Sequence, residues 1–162
     1  MANNIKVDVK GLKNLAKALG GQYNIKVGIM GASSQRQNGD TGKTNAEIGF
    51  INEFGKLTGF PKIPARSFLR MPLTLYLADY LSRKKSFSKE AIDQAVKEGT
   101  LLDLAKKVGI VAEEVIQEAF ATRGFGNWAP NAPYTIEKKG SDSPLIDTGE
   151  LRRSITSKAE KK

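Results

Sequence analysis

The alternation of apolar and polar positions predicts a strand, a short helix and a second strand at the start of the chain. Residues 5–9 alternate between the two classes, which is typical of a half-buried strand. Leucine and alanine then recur at helical spacing over residues 12–19, and the two glycines that follow are suited to ending a helix. Alternation returns over residues 23–29. We therefore expect two strands paired around one helix.

The middle of the chain predicts a polar loop, a short helix and a proline-containing arm. Between residues 31 and 44 no apolar side chain is larger than alanine, so we expect a long exposed loop. Apolar side chains every fourth residue predict a helix over residues 45–54 whose apolar face is Ala46, Phe50 and Phe54. Two prolines exclude a regular helix from the arm, residues 56–66.

The second half of the chain predicts three more helices and an irregular end. One helix starts near Pro72 and closes at residues 83–85, and the next runs over residues 88–97, from a Ser88 cap to a Gly99 terminator. The strongest helical period covers residues 101–120, and Thr100 followed by Asp103 resembles a capping box. After residue 126 we expect irregular chain, a turn or helix at residues 150–154, and a solvated tail over 157–162.

The composition argues against an enzyme. A chain of 162 residues suits one domain, or one domain with a loose tail. It contains no cysteine and no histidine, so it lacks thiolate ligands, the commonest general base and the commonest zinc ligand. We predict no catalytic residue, no cofactor and no bound metal, and an enzyme acting on cell wall or nucleotide is a remote third alternative.

Charge and hydropathy restrict the partners. The net charge of +9 favours a polyanionic partner, so non-specific contact with DNA and a basic nucleic-acid-binding domain remain open. However, the basic clusters are not interleaved with aromatic side chains as they are in single-strand binders. No apolar run approaches the roughly 20 residues needed to cross a bilayer. The N-terminus does not resemble a secretory signal, so we expect assembly in the cytoplasm and no membrane.

Two motifs resemble catalytic signals, but their spacing argues otherwise. A phosphate-binding loop needs a glycine five residues before that of Gly42-Lys43-Thr44, and this position is Gln37. Asp147 and Glu150 are spaced to cap the short helix that follows them, near its positive N-terminal end. We therefore assign neither motif a catalytic role.

Two longer segments carry a family resemblance. The first signature is Asn52-Glu53-Phe54-Gly55 followed by Ile63-Pro64-Ala65-Arg66-Ser67-Phe68-Leu69-Arg70. The second contains Trp128, Pro130, Thr135, Lys138 and Gly140, and then Pro144-Leu145-Ile146-Asp147-Thr148-Gly149-Glu150-Leu151-Arg152-Arg153-Ser154-Ile155. In this order they resemble the neck and tail-completion proteins of tailed bacteriophages, and the related virion-morphogenesis proteins of Mu-like phages. Ser67 stands where a second proline is common in that family.

The resemblance implies an α+β fold, in which a small, mostly antiparallel sheet packs against two or more helices and carries long loops or arms. It implies one neck or tail-completion domain over residues 1–156, followed by a flexible basic tail over residues 157–162. Family members often add a terminal strand after the second signature, and we expect that strand to be short or absent here. The residues expected to form the structural or interface motif are Phe54, Gly55, Pro64, Arg66, Phe68, Arg70, Trp128, Asp147, Thr148, Gly149 and Leu151.

The resemblance also implies a structural role in the virion, at the joint between head and tail. The expected partners are the connector, the tail terminator or the tail tube, and a homo-oligomeric ring such as a hexamer. A tail terminator that caps the tube is the alternative within the same class. We expect the loop at residues 31–44 and the arm to make the contacts. Physically, an arginine of the arm can satisfy buried carbonyl or carboxylate groups through its fork of N–H donors.

Overall fold

The computed structural model describes residues 9–20, 22–36, 42–59 and 61–162. Within these ranges the chain folds into seven helices and one antiparallel sheet of two strands, the α+β class expected. The helices are α1 (Val9–Leu19), α2 (Asn45–Phe54), α3 (Arg70–Ser82), α4 (Lys89–Glu98), α5 (Leu101–Ala121), α6 (Pro133–Lys139) and α7 (Glu150–Arg153). The strands are β1 (Tyr23–Ile29) and β2 (Ile155–Lys161), and short 3-10 turns occupy Gly31–Ser34 and Lys85–Phe87.

Helix α5 is the central element, because both parts of the core pack against it. Its buried positions recur every three or four residues, so the predicted apolar stripe is confirmed. Around its first half lie apolar residues of α1, α3 and α4, among them Leu15, Leu81 and Ile92. Around its second half lie Phe68 and Leu151. This second cluster supports the candidate site.

Strand β2 corrects the prediction of a solvated tail. Residues 155–161 pair antiparallel with the whole of β1, from Ile155 opposite Ile29 to Lys161 opposite Tyr23. The strand also lies on α5, where a Cβ atom at Gly109 would come within 2.9 Å of the Ser157 Cβ. The prediction failed because one face of the strand is polar, and its Lys158 and Glu160, together with the lysines at the end of the chain, resemble a tail in sequence.

The electrostatics of β2 also favour the strand. The Glu160 carboxylate lies 2.5 Å from the Lys26 Nζ of β1 and 2.9 Å from the Lys158 Nζ. These hydrogen bonds, first with Lys26 and then with Lys158, lower the pKa of Glu160 to about 2. Glu160 of the expected tail is thus a cross-strand partner of Lys26.

Helix α2 has its predicted bounds and ends at Gly55, but the predicted inner face is wrong. Ala46, Phe50 and Phe54 are exposed, whereas Asn45, Gly49 and Glu53 are buried. A Cβ atom at Gly49 would lie 2.7 Å from Ile29 Cδ1 and 3.3 Å from Phe68 Cζ, so the helix can approach the core only on its glycine side. Close approach decides the orientation here, against the hydrophobic pattern.

Three features of the helices differ from the sequence prediction: the start of α3, the presence of α6 and the cap of α5. Helix α3 begins at Arg70, two residues before Pro72. Helix α6 lies in chain predicted to be irregular, although Pro133 at its first turn and the left-handed Gly140 at its end (φ 66°) are ordinary helix signals. Thr100 precedes α5 but its side chain makes no cap hydrogen bond, so the predicted capping box is absent.

Other predictions fall in full or in part outside the described ranges. The strand predicted at residues 5–9 lies outside them except for Val9, which begins α1 instead. Helix α1 and strand β1 otherwise follow the prediction, and Ser88 caps α4 with Gly99 at its end. Of the loop predicted at residues 31–44, Gly31–Ser34 forms a turn, and residues 37–41 are outside the described part.

Candidate functional site

The two signatures lie against each other in space. Arg66 donates from Nε to the Ala129 carbonyl at 2.7 Å and from Nη2 to the Pro130 carbonyl at 2.7 Å, across 63 and 64 positions of sequence. The Trp128 indole N–H donates to the Ser67 carbonyl at 3.1 Å. Arg66 is only 6% exposed. Its fork therefore satisfies two backbone carbonyl groups, as the sequence predicted for an arginine of this segment, although Pro130 itself is exposed.

A layer of aromatic rings supports this contact from below. Phe68 is fully buried, with its ring centroid 5.4 Å from that of Phe120. Phe120 in turn meets Trp128 edge to face at 5.6 Å. Leu151 and Ile155 complete the same cluster. Phe68, Trp128 and Leu151 thus hold the two signatures together, and none of the three is free to meet a partner with its whole side chain.

Glu53 belongs to the first signature, but the sequence pattern indicates no role for it. Its buried carboxylate accepts backbone N–H groups from Phe68 at 2.8 Å, Leu69 at 3.0 Å and Arg70 at 3.1 Å. The Ser67 hydroxyl donates to the same carboxylate at 2.5 Å. A carboxylate at this place satisfies the open N–H groups at the start of α3. The Ser67 hydroxyl also accepts the Met71 N–H at 3.0 Å, while Leu69 at the cap position makes no side-chain bond. A helix whose cap residue is leucine, just after a proline arm, was the available signal.

An open groove of about 1470 Å³ lies between the two signatures. Six of the predicted motif residues line it, namely Pro64, Arg66, Asp147, Thr148, Gly149 and Leu151. The remaining walls come from α6 and its flanks, including Pro130, Tyr134 and Lys139, and from Arg36, Pro61 and Lys62 on the other side. The groove therefore unites residues that the sequence places in three separate stretches.

Phe54 and Arg70 lie outside the groove, on the outer side of α2. The rings of Phe50 and Phe54, which we call the α2 patch, are 4.9 Å apart, and they are 66% and 52% exposed. The Arg70 guanidinium lies 5.4 Å from the Phe54 ring centroid and 3.9 Å from the Glu53 carboxylate. Gly55 (φ 77°) touches the arm, because a Cβ atom there would lie 2.8 Å from Ala65 N.

The groove is cationic. Arg36 pairs with Glu150 at 3.2 Å, and the Lys139 Nζ donates to the Ser143 carbonyl at 2.9 Å. Burial lowers the pKa of Lys139, and the Arg66 charge acts in the same direction, while Asp147 and Asp142 oppose them. Burial also lowers the pKa of Arg66. Both cations are therefore held where their charge is poorly solvated.

Glu150 lies in the first turn of α7, as predicted, but the predicted side-chain cap is not made. The residue before α7 is Gly149, with φ 78°, and no side chain makes the cap hydrogen bond. Asp147 is exposed at the groove instead, and Glu150 pairs with Arg36. The chain reaches α7 through a left-handed glycine, which has no side chain that could cap the helix.

The described residues contain no group of three acidic side chains that could hold a metal ion. In the same part of the chain, no helix combines the length and apolarity needed to cross a bilayer. What the site does present is apolar surface, N–H donors and positive charge, which are suited to binding a polypeptide or an anion.

Comparison with protein-family models, with curated protein sequences and with solved structures gave no match for this chain. Inference about its function therefore starts from the two signatures and from the geometry of the groove and the α2 patch.

Proposed function

We propose that this chain is a structural virion protein of a tailed phage, which completes the neck or tail and joins head to tail through protein–protein contacts. The observation that carries the proposal is the contact between the two signatures, in which Arg66 and Trp128 bond to backbone carbonyls of the opposite segment. These side chains build a surface and present no reacting group. The resemblance in sequence to neck and tail-completion proteins thus has a physical counterpart in one shared contact region.

Two surfaces are available for assembly. The groove offers a concave apolar site, and the α2 patch offers two exposed aromatic rings beside a cation. Exposed aromatic side chains and arginine are the residue types that most often dominate interface energies. In the proposed particle these surfaces contact a second copy in a ring and the connector, tail terminator or tube, after assembly in the host cytoplasm.

The test uses the phage that encodes this chain. Replacing the Gln22 codon with a stop codon should yield lysates in which complete heads and complete tails remain separate under negative-stain microscopy. Adding the purified wild-type chain to such a lysate should restore joined particles and plaques. Particles that join normally without the chain would contradict the proposal, and tails of uncontrolled length would favour the tail-terminator alternative.

The same lysate tests the α2 patch. A chain with Phe50→Ser and Phe54→Ser should restore at least about tenfold fewer plaques, because exposed aromatic anchors are lost while the core is untouched. The matched control is Val96→Ser with Ile110→Ser, which removes apolar side chains that are 52% and 54% exposed on α4 and α5. If both double variants restore the same number of plaques, the α2 patch does not contribute to the joint.

A further inference from the structure

The size of the groove indicates what it holds. Its volume of about 1470 Å³ exceeds the ~300–1,000 Å³ that is common for small-molecule sites. One wall is the proline arm, with Pro61 and Pro64, and the other is α6 with Pro130 and Tyr134 before and within it. An open groove of this volume with apolar walls fits a segment of polypeptide better than a metabolite.

The charge of the groove indicates which segment it binds. Four cationic side chains line it, Arg36, Lys62, Arg66 and Lys139, against two carboxylates, Asp147 and Glu150. Arg36 and Glu150 neutralise each other. Within the described residues, Arg66 and Lys139 bond only to carbonyl oxygens and lie in no ion pair. The excess positive charge is thus concentrated on these two and on Lys62.

A partner carboxylate would offset this charge. The two carbonyl groups take up two of the five guanidinium N–H donors of Arg66. A buried cation without a counter-ion is costly, and a carboxylate matches the guanidinium fork in geometry as well as in charge. Burial lowers the pKa of both Arg66 and Lys139, and the opposing effect of Asp147 and Asp142 on Lys139 is smaller than that of its burial.

We propose that the groove binds an extended, acidic and apolar peptide segment of the neighbouring virion protein, with one carboxylate between Arg66 and Lys139. Apolar side chains of that segment lie against Pro64, Pro130 and Tyr134. This inference deepens the proposed function and rests on it, since the segment belongs to the protein across the joint.

The test begins with a displayed library of random dodecapeptides, selected on the purified full-length chain. Enriched peptides should carry Asp or Glu among apolar residues. Fluorescein-labelled synthetic copies are then titrated by fluorescence anisotropy. Lys139→Gln should weaken binding by about tenfold or more, because a partly buried charge pair is lost. Lys138→Gln, at the exposed neighbouring position outside the groove, should leave the affinity unchanged.

A second pair of variants guards against a local effect on α6. Lys62→Gln should also weaken binding, whereas Lys56→Gln, earlier in the arm and outside the groove lining, should not. Changing the peptide carboxylate to its amide should weaken the affinity of the wild-type chain for the peptide as much as Lys139→Gln does. In the Lys139→Gln variant the same change of the peptide should weaken the affinity little further. In ¹H–¹⁵N spectra the Arg66 Nε–H and the Tyr134 amide should shift on binding.

Several results would overturn the inference. These are a selection that enriches no peptide or only neutral and basic ones, equal affinities for Lys138→Gln and Lys139→Gln, and spectral shifts outside the groove. Competition by short duplex DNA in place of peptide would equally contradict it. Peptide binding is measured on the isolated chain and joining on phage lysates, so a variant that loses binding but joins particles normally refutes the groove, whereas particles that join without the chain refute the proposed function.

Discussion

At the scale of single residues, Glu53 and Arg66 act on opposite sides of one short segment of chain. The Glu53 carboxylate accepts hydrogen bonds from N–H groups at the start of α3, and the Arg66 guanidinium donates to carbonyl groups before α6. Each side chain is buried and bonds to backbone far away in sequence. These two buried charged residues therefore position the arm and the segment before α6, which form the walls of the groove.

Glu53→Ala should lower the free energy of unfolding by about 2–4 kcal/mol, because a buried charged acceptor and the cap of a helix are lost together. Urea unfolding followed by the fluorescence of Trp128 measures the change.

The control for this change is Glu137→Ala, an exposed glutamate of α6. It should alter stability by less than about 0.5 kcal/mol. If both variants unfold at the same urea concentration, Glu53 does not stabilise the start of α3.

The roles of these two residues differ in how well they can be predicted from the sequence. An arginine next to a proline arm predicts a fork on carbonyl groups, because such a segment leaves backbone acceptors unpaired. Glu53 is harder to find, since the periodicity of α2 places the phenylalanines on the apolar face and treats the glutamate as solvated. Its acceptor role depends on α3 beginning beside it, which no local pattern states.

At the scale of elements, the errors in α2 and β2 arise from contacts with segments that are remote in sequence. A pattern of apolar residues shows which face of a helix or strand prefers to be buried, but not which face can approach a neighbour. In α2 the approach of β1 and Phe68 requires Gly49, so the phenylalanines turn outward. In β2 the strand is formed by pairing with β1, although Lys158, Glu160 and Lys161 resemble a tail.

Deleting residues 157–162 should therefore destabilise the fold and not merely trim it. The deletion removes five of the seven residue pairs of the sheet and the contact of Ser157 with α5. We expect a loss of about 3 kcal/mol or more. By calorimetry the Tm should fall by roughly 6–12 °C.

Charge and strand can be separated in the same experiment. Replacing Lys158, Lys161 and Lys162 with alanine removes the basic charge of this segment but leaves the strand to pair, so its Tm should lie much nearer to that of the wild type. If the variant without residues 157–162 had the same Tm as the wild-type chain, β2 would contribute nothing to the stability of the fold.

At the scale of the whole molecule, the net charge of +9 leaves a nucleic-acid-binding domain as the alternative class. We expect only weak contact with the DNA backbone, since Arg66 and Lys139 bond to carbonyl groups, Arg36 pairs with Glu150, and the exposed rings of the α2 patch lie beside a single arginine. Binding to duplex DNA, measured by anisotropy, should disappear between about 50 and 200 mM salt, as counterion release dictates. Sequence-selective binding that persists at physiological salt would favour the alternative class.

The sequence by itself determined most of the helices, strand β1 and the presence of two signatures, because periodicity and end signals act within a few residues of each other. Ser88 with Gly99 is a local signal of this kind, whereas the equally local pair Pro133 and Gly140 was not used to predict α6. Only the tertiary structure decided which face of α2 is buried, that residues 155–161 form a strand, and that the two signatures enclose a cationic groove. These outcomes depend on distances between segments that are remote in the chain, where Gly49, Glu53 and Arg66 meet partners that no local pattern can name.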